Sequence, residues 1–412
     1  MSKIDDLIAK LCPDGVEYKE LGEVCKFRNG FAFKSSKFKN KGSGILRIGN
    51  IQNRNVDLKN LVYFDVIDYN ENLKLYEVRN GDVLVAMSGA TTGKIGRIFS
   101  DKIYYLNQRV GKFEPIPEFL NKDFLYHFLL TKSNDLFILA GGGAQPNLSS
   151  NALMKKIVIP IPPIEIQEEI VKILDSFTSL EAELEAELEA RNAQYDFYRN
   201  QLLSFENKNV EWKSLGEVGE FVRGTGLQKS DFRDNGVGCI HYGQIYTYYG
   251  TYATKTKSFV SESLALRLRK AKKGDLIIAG VSENIEDVCK AVVWLGDDEI
   301  CISGDSSAYR HQQNPKYIGY LFQTKRFFEF KKKYAQGAKV TRLRSGSLPN
   351  FLIPVPPLEE QERIVAILDQ FDALVNDIKI GLPAEIKARR QQYEYYREKL
   401  LTFKCRNQNL QD

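Results

Sequence analysis

From residue 170 onward the chain repeats a simple rhythm, a seam position every three or four residues with polar residues between. Ile170, Ile173, Phe177, Leu180, Leu184, Leu188, Arg191, Tyr195, Tyr198, Leu202 and Phe205 mark it. One additional step of four, a stutter, interrupts an otherwise regular heptad seam, so the segment reads as a long helix with one apolar stripe. The same rhythm returns at Ile364, Ile367, Phe371, Leu374, Ile378, Leu382, Ile386, Arg389, Tyr393, Tyr396, Leu400 and Phe403. At 1.5 Å per residue, roughly 40 residues give each helix a length of about 60 Å. A stripe of that length needs a partner. The chain supplies one, which predicts an intramolecular antiparallel pair; homodimerisation through the same stripe is the alternative. Proline pairs, Pro162 with Pro163 and Pro356 with Pro357, suit an extended approach followed by a first helical turn. Gly381 and Pro383 fall inside the second stripe, where Pro383 predicts a local kink or break.

The stretches at about 15–160 and 209–354 follow another pattern. Short strand-like runs (ILRIGNI, GDVLVAM, KIVIPI; GDLIIAG, KAVVWLG, NFLIPVP) alternate with helical ones (DFLYHFLLTKSNDLF, KYIGYLFQTKRFFEFKKKYA). Gly-Asp at 81–82 and 274–275 reads as a turn into a buried strand. The class is α+β, or mixed α/β.

These two regions and their helices form a tandem repeat. Residues 16–24 (VEYKELGEV) match 210–218 (VEWKSLGEV), and 160–180 (PIPPIEIQEEIVKILDSFTSL) match 354–374 (PVPPLEEQERIVAILDQFDAL), both at an offset of 194. Residues 194–205 (QYDFYRNQLLSF) match 392–403 (QYEYYREKLLTF) at 198, so the second copy carries four extra residues. The middles match only faintly: NGFAFKSSKF with RGTGLQKSDF, IGNI with YGQI, GDVLVAM with GDLIIAG. One architecture with two different surfaces is what reading two different targets requires.

With 412 residues, 43% hydrophobic and 27% charged, the chain has the composition of a globular protein of two or three domains. The net charge of +5 hides local contrast: residues 181–189 read EAELEAELE, whereas basic residues cluster at 34–41, 267–273 and 331–344. Six scattered cysteines without a CxxC pair argue against zinc fingers and a disulfide framework. There is no apolar signal core and no run approaching about 18 apolar residues, so a cytoplasmic protein without membrane contact is expected. Catalytic equipment is not visible. GATTGK at 89–94 has one residue too few between its glycines for a phosphate loop, and Ile95 stands where a hydroxyl should bind magnesium. Pro13-Asp14 with Glu17 and Lys19 is too compact for a nuclease motif, and His127, His241 and His311 lack ligand partners at metal spacing. No catalytic or metal site is assigned.

Taken together, the connector motif, the QYDFYR and QYEYYR closers and the VEYKELGEV-type openers resemble the specificity subunits of type I restriction–modification systems, and the resemblance covers essentially the whole chain. It implies two tandem target-recognition domains, separated by two long helices packed as an intramolecular antiparallel coiled coil with pseudo-two-fold symmetry. The expected segments are 1–160 (first target-recognition domain), 161–207 (first connector helix), 208–354 (second target-recognition domain) and 355–412 (second connector helix and tail). The resemblance further implies a non-catalytic subunit that reads a bipartite, asymmetric double-stranded DNA site. It would direct two methyltransferase subunits and, optionally, restriction/translocase subunits. No cofactor is expected on this chain, S-adenosylmethionine belonging to the partner. The Leu-Glu-Ala-Glu units at 180–188 look like the family's spacer-setting repeats.

Phosphate contacts would supply affinity and base-edge contacts specificity. Candidate DNA-binding residues are Lys34, Lys37, Arg47, Asn50, Gln145 and Asn147 in the first domain, with Lys94 as a phosphate contact. In the second they are Gln228, Lys229, His241, Gln244, Lys339, Arg342 and Arg344. Asn and Gln suit adenine edges, Arg and Lys guanine. A coiled-coil adaptor without DNA readout is the rival reading.

Overall fold

The computed structural model of the chain describes residues 2–143, 146–206, 208–337, 340–344, 346–377 and 380–406. It divides into two units, one running up to Glu183 and resuming at Lys387, the other Leu184–Ile386. Each unit therefore contains one globular domain and half of each connector.

The first connector is a single helix, α1 (Ile164–Ser204), of 41 residues. The second is two helices, α2 (Leu358–Asn376) and α3 (Leu382–Leu400). The interruption falls where Gly381 and Pro383 predict it, but Pro383 opens α3 instead of kinking a continuous helix. In a first turn the missing N–H costs no hydrogen bond. Gly381 closes the turn before it, donating to the Asp377 carbonyl. A Cβ there would stand 2.5 Å from the Ala373 carbonyl oxygen and 2.7 Å from that of Leu374.

In the first unit the early part of α1 packs antiparallel on α3. Phe177 stacks on Tyr396 with ring centroids 5.4 Å apart, and Glu181, further along α1, pairs with Arg390, further back on α3. In the second unit the late part of α1 packs on α2, Tyr195 and Tyr198 both stacking on Phe371. Ile166, Ile170 and Leu174 of α1 and Ile364 and Leu368 of α2 are buried in the cores of their respective domains. The seam residues thus serve two interfaces, helix on helix and helix on domain.

The two domains repeat the same strand order despite their divergence. In the first, a five-stranded sheet runs Cys25–Asn29, Val110–Pro115, Val83–Ala86, Ile95–Arg97, Arg54–Asn55. A four-stranded sheet runs Val62–Phe64, Ser43–Leu46, Tyr104–Leu106, Glu77–Val78. In the second domain the five-stranded order is Gly219–Arg223, Ser306–His311, Leu276–Ala279, Ala291–Trp294, Tyr252–Ala253. The four-stranded sheet is Ser258–Val260, Val237–Ile240, Ile300–Ile302, Lys270–Ala271. The strand Val83–Ala86 and its counterpart Leu276–Ala279 are fully buried, as the apolar runs after Gly-Asp predict. Gly81 and Gly274 take the left-handed conformation (φ 80° and 93°). Asp82 and Asp275 then accept the N–H groups of Arg79 and Lys272 to close the turn.

The well-matched repeats prove to be fasteners. Each opener strand, Glu17–Glu20 or Trp212–Ser214, pairs antiparallel with the strand leading into the connector, Val158–Ile161 or Leu352–Pro354. The LGEV that follows is a helical turn closed by a capping box, Glu20 with Glu23 and Ser214 with Glu217. The glutamine in each proline-rich motif is fully buried. Gln167 accepts the Asn121 N–H and donates to the carbonyls of Phe119 and Pro162; Gln361 accepts the Asn314 N–H and donates to Pro356 O and Gln313 Oε1.

Two features lie outside the sequence expectations. Residues Ser2–Leu11 form a helix with Ile4 buried. The second domain also carries a three-stranded sheet, Val281–Ser282, Thr341–Leu343 and Ala335–Gln336, where the described residues of the first show a bridge between Ser88 and Asn147.

Candidate nucleic-acid interface

In each domain several connections between the two sheets gather at one end, and many of the candidate residues sit there. In the first domain Arg47 opens a 3-10 turn, Ile48–Asn50, that follows the strand Ser43–Leu46. The turn is tied to the loop after Val83–Ala86, Thr91 Oγ1 donating to the Ile48 carbonyl at 3.0 Å. From the same loop the Met87 N–H donates to the Arg109 carbonyl, and Leu148 N–H donates to Met87. Arg47, Asn147 and Arg109 are exposed around this junction.

The other first-domain candidates differ in their availability. Asn50 is buried, and its amide is spent on the turn: Oδ1 accepts the Arg47 N–H, and Nδ2 donates to the carbonyls of Asp57 and Asn60. Lys37 donates to the Asp68 carbonyl, with Nζ 4.2 Å from the centroid of the Tyr69 ring. Lys34 offers its backbone N–H to Tyr69 Oη and leaves its side chain exposed. Lys94 is half-buried. The amides of Gly89, Thr92, Gly93 and Lys94 all donate to backbone carbonyls and are committed to the turn. Gln145 lies outside the described residues.

The second domain repeats the arrangement. His241 and Gln244 occupy the positions of Arg47 and Asn50 and cap the helical turn Tyr242–Thr247. Gln244 Oε1 accepts the His241 N–H, Nε2 donates to Ser258 Oγ, and both residues are buried. His241 Nδ1 accepts the Gly243 N–H at 3.1 Å, which places the neutral ring's proton on Nε2. Burial and the nearby Lys229 charge hold the pKa of His241 below its ordinary value, against a weaker pull from Asp305. Arg342 lies on the same end, Nη2 standing 3.9 Å from Asp305 Oδ1. Gln228 and Lys229 flank the start of a 3-10 turn with exposed side chains, and Arg344 is exposed beyond the strand Thr341–Leu343. Lys339 lies outside the described residues. Sequence reading missed Arg109 and Asp305, whose signal is a polar tripeptide, NQR at 107–109 and SGD at 303–305, between two strand runs.

Behind these loops each domain is seated on its helices by a polar joint. In the first unit His127 is fully enclosed, Nε2 donating to Asp175 of α1 and Nδ1 accepting from Tyr393 Oη of α3, both at 2.9 Å. Arg97 bridges Asp123 (2.6 Å) and Asp175 (3.1 Å). Burial keeps His127 neutral by lowering its pKa, although Asp175 opposes the shift. In the second unit Tyr320 Oη donates to Asp369 Oδ1 at 2.6 Å, and Lys316 pairs with Asp369 Oδ2 at 2.7 Å. Tyr195 of α1 lies alongside, 3.4 Å from Asp372 Oδ1. In both units a helix aspartate receives a cation and a hydrogen-bonding ring from the domain; the helix tyrosine bonds the domain's ring in the first unit and a helix aspartate in the second.

Among the described residues no group of three or more His, Cys, Asp or Glu could hold a metal ion. None of their helices is long and apolar enough to cross a membrane.

Comparison with known proteins agrees with this architecture. The chain is 36% identical to the type I restriction enzyme EcoR124I/EcoR124II specificity subunit of Escherichia coli, over 68% of this chain and 70% of that one. It is 31% identical to a putative type I restriction enzyme specificity subunit of Haemophilus influenzae, over 94% and 96%. Its fold is similar to that of the S subunit of a type I restriction-modification system from M. genitalium, with a TM-score of 0.53 at 16% identity, covering 94% of this chain and 96% of that one. The family model of the type I restriction modification DNA specificity domain matches twice, at residues 13–190 and 207–388. The chain therefore belongs to the type I restriction–modification specificity subunits, the non-catalytic members that give such a system its DNA specificity.

Proposed function

We propose that this subunit reads a split, asymmetric DNA site, with residues 1–160 taking one half and 208–354 the other. The segments 161–207 and 355–412 serve as spacer and as dock for two methyltransferase subunits and, optionally, a restriction/translocase subunit. The observation that carries this reading is a matched scaffold with unmatched tips. The strand orders of the five- and four-stranded sheets agree, while the loops at the ends of the sheets differ in length, charge and partners. Exposed lysines near those loops suit phosphate, and arginines suit base edges. S-adenosylmethionine and the flipping of the target adenine belong to the partner, since a stacked adenine is out of reach. The complex would work in the cytoplasm on the cell's own DNA.

The test is the methylome of cells expressing the chain with its methyltransferase, with and without replacement of residues 15–160 by the equivalent domain of another specificity subunit. The expected outcome is a split adenine-methylated motif in which the replacement changes one half alone. An assembled complex that leaves no motif would favour the adaptor without DNA readout.

A further inference from the structure

The turns at 107–109 and 303–305 share one backbone conformation although their sequences differ. In each the first residue donates to the end of the neighbouring strand, Asn107 to the Leu46 carbonyl and Ser303 to the Ile240 carbonyl. That residue's carbonyl then accepts from the residue three further on, Val110 or Ser306. The third residue's carbonyl accepts from across the junction, Arg109 from the Met87 N–H and Asp305 from the Gly280 N–H. Arg109 and Asp305 therefore occupy the same place, at the end where the two sheets meet, with opposite charge.

Their side-chain partners are related in the same way. Arg109 Nη1 donates to Asn147 Oδ1 at 3.0 Å, and Asn147 bridges to Ser88. Asp305 faces Arg342, on the strand Thr341–Leu343 that pairs with Val281–Ser282. Each domain thus presents an exposed guanidinium beside a polar neighbour at an equivalent point, hydrogen-bonded to it in the first domain and in ion-pair range of it in the second. In the first domain it comes from the turn, and in the second from the facing strand.

Such exposed contacts add little to folding stability. Their effect is on orientation. A guanidinium must present two parallel N–H groups to read the O6 and N7 of guanine, and a partner that fixes its plane beforehand removes an ordering cost from binding.

We propose that Arg109 reads a guanine in the first half-site with Asn147 as its positioning residue, and that Arg342 reads a guanine in the second with Asp305 in that role. The inference rests on the split-site reading above and assigns its contacts.

The test uses the same methylome, from the assembled complex carrying Arg109→Ala, Arg109→Lys, Asn147→Ala or Arg342→Ala. Arg109→Ala is expected to make one position of the first half-site degenerate, methylation of sites with another base there rising about tenfold or more relative to the guanine sites. The second half-site should stay unchanged. Arg109→Lys keeps the charge but loses the fork and should relax the same position, whereas Asn147→Ala should relax it less. Arg342→Ala should act on the second half-site alone. An unchanged motif in the Arg109 variants, or a loss of methylation spread evenly over all sites as a phosphate contact would give, overturns the assignment. If Arg109→Ala abolishes methylation altogether, the Arg109→Lys motif decides in the same way. Failure of the parent reading is separate, because it would show as the absence of a split motif in the unaltered complex.

Discussion

Asn50 and Gln244 illustrate how a polar letter at a strand end carries a structural task that the sequence does not show. Both sit in echoing tetrapeptides, IGNI and YGQI, and both amides match adenine chemically. In the folded domains they are buried, and their amides are engaged in capping the turn that follows the strand. Sequence shows the amide but not the N–H it caps. The three histidines show the converse. Each is held below its ordinary pKa chiefly by burial, His311 as far as about 4. A histidine depressed in the folded state favours folding while neutral. As the pH falls below about 6.5, the unfolded chain takes up protons that the folded one resists. Stability should therefore fall between pH 7.5 and 5.5, by at most about 1.4 kcal/mol per pH unit for each histidine. Denaturant unfolding at the two pH values measures it. His311→Gln should shrink the fall, and a flat profile in the unaltered chain would contradict the buried, neutral histidines.

At the scale of the element, the seam spacing was enough to place α1 almost to its ends, because a long stripe of three-and-four steps has no other regular structure that buries it. The break in the second connector was also legible, but its form was not. Proline signals an interruption from either side, and only the contacts of Gly381 show that the helix stops, turns and restarts. The two residues should then respond differently. Gly381→Ala forces a methyl group against the carbonyls of Ala373 and Leu374 and should cost roughly 1–3 kcal/mol. Pro383→Ala, in a first turn, should change stability by no more than about 1 kcal/mol. Thermal or denaturant unfolding of the pair checks this, and a larger loss from Pro383→Ala would place the strain at the proline instead. The second domain's third sheet was not legible, since its two- and three-residue strands carry no periodicity to read.

For the whole molecule, the duplication gave the architecture and the family together, because the retained segments are those that fasten and seat each domain. The surface proposed to meet DNA was far less legible: the conformation of a short polar turn depends on strands distant in sequence, and the proposed reader Arg109 is indistinguishable from any exposed arginine until those strands are in place. The seats make a prediction at this scale. Asp175 and Asp369 receive the domain's hydrogen-bonding ring at matching places, with Tyr393 and Tyr195 as the repeat-related tyrosines beside them. A chain carrying the second domain in both seats should fold, assemble and methylate a site built from two copies of one half-site. Aggregation of that chain would mean that the seats are not equivalent.

The joint under each domain also bears on how such a chain changes over generations. A domain arriving by recombination keeps the fastening strands and the apolar face that the connector buries, and at the polar joint it brings a cation and a hydrogen-bonding ring, whatever its upper loops carry. Arg97 with His127 meets that requirement, and so does Lys316 with Tyr320. A whole-domain exchange at this mount would therefore change the half-site addressed by one domain while the other domain and both connectors stay as they are.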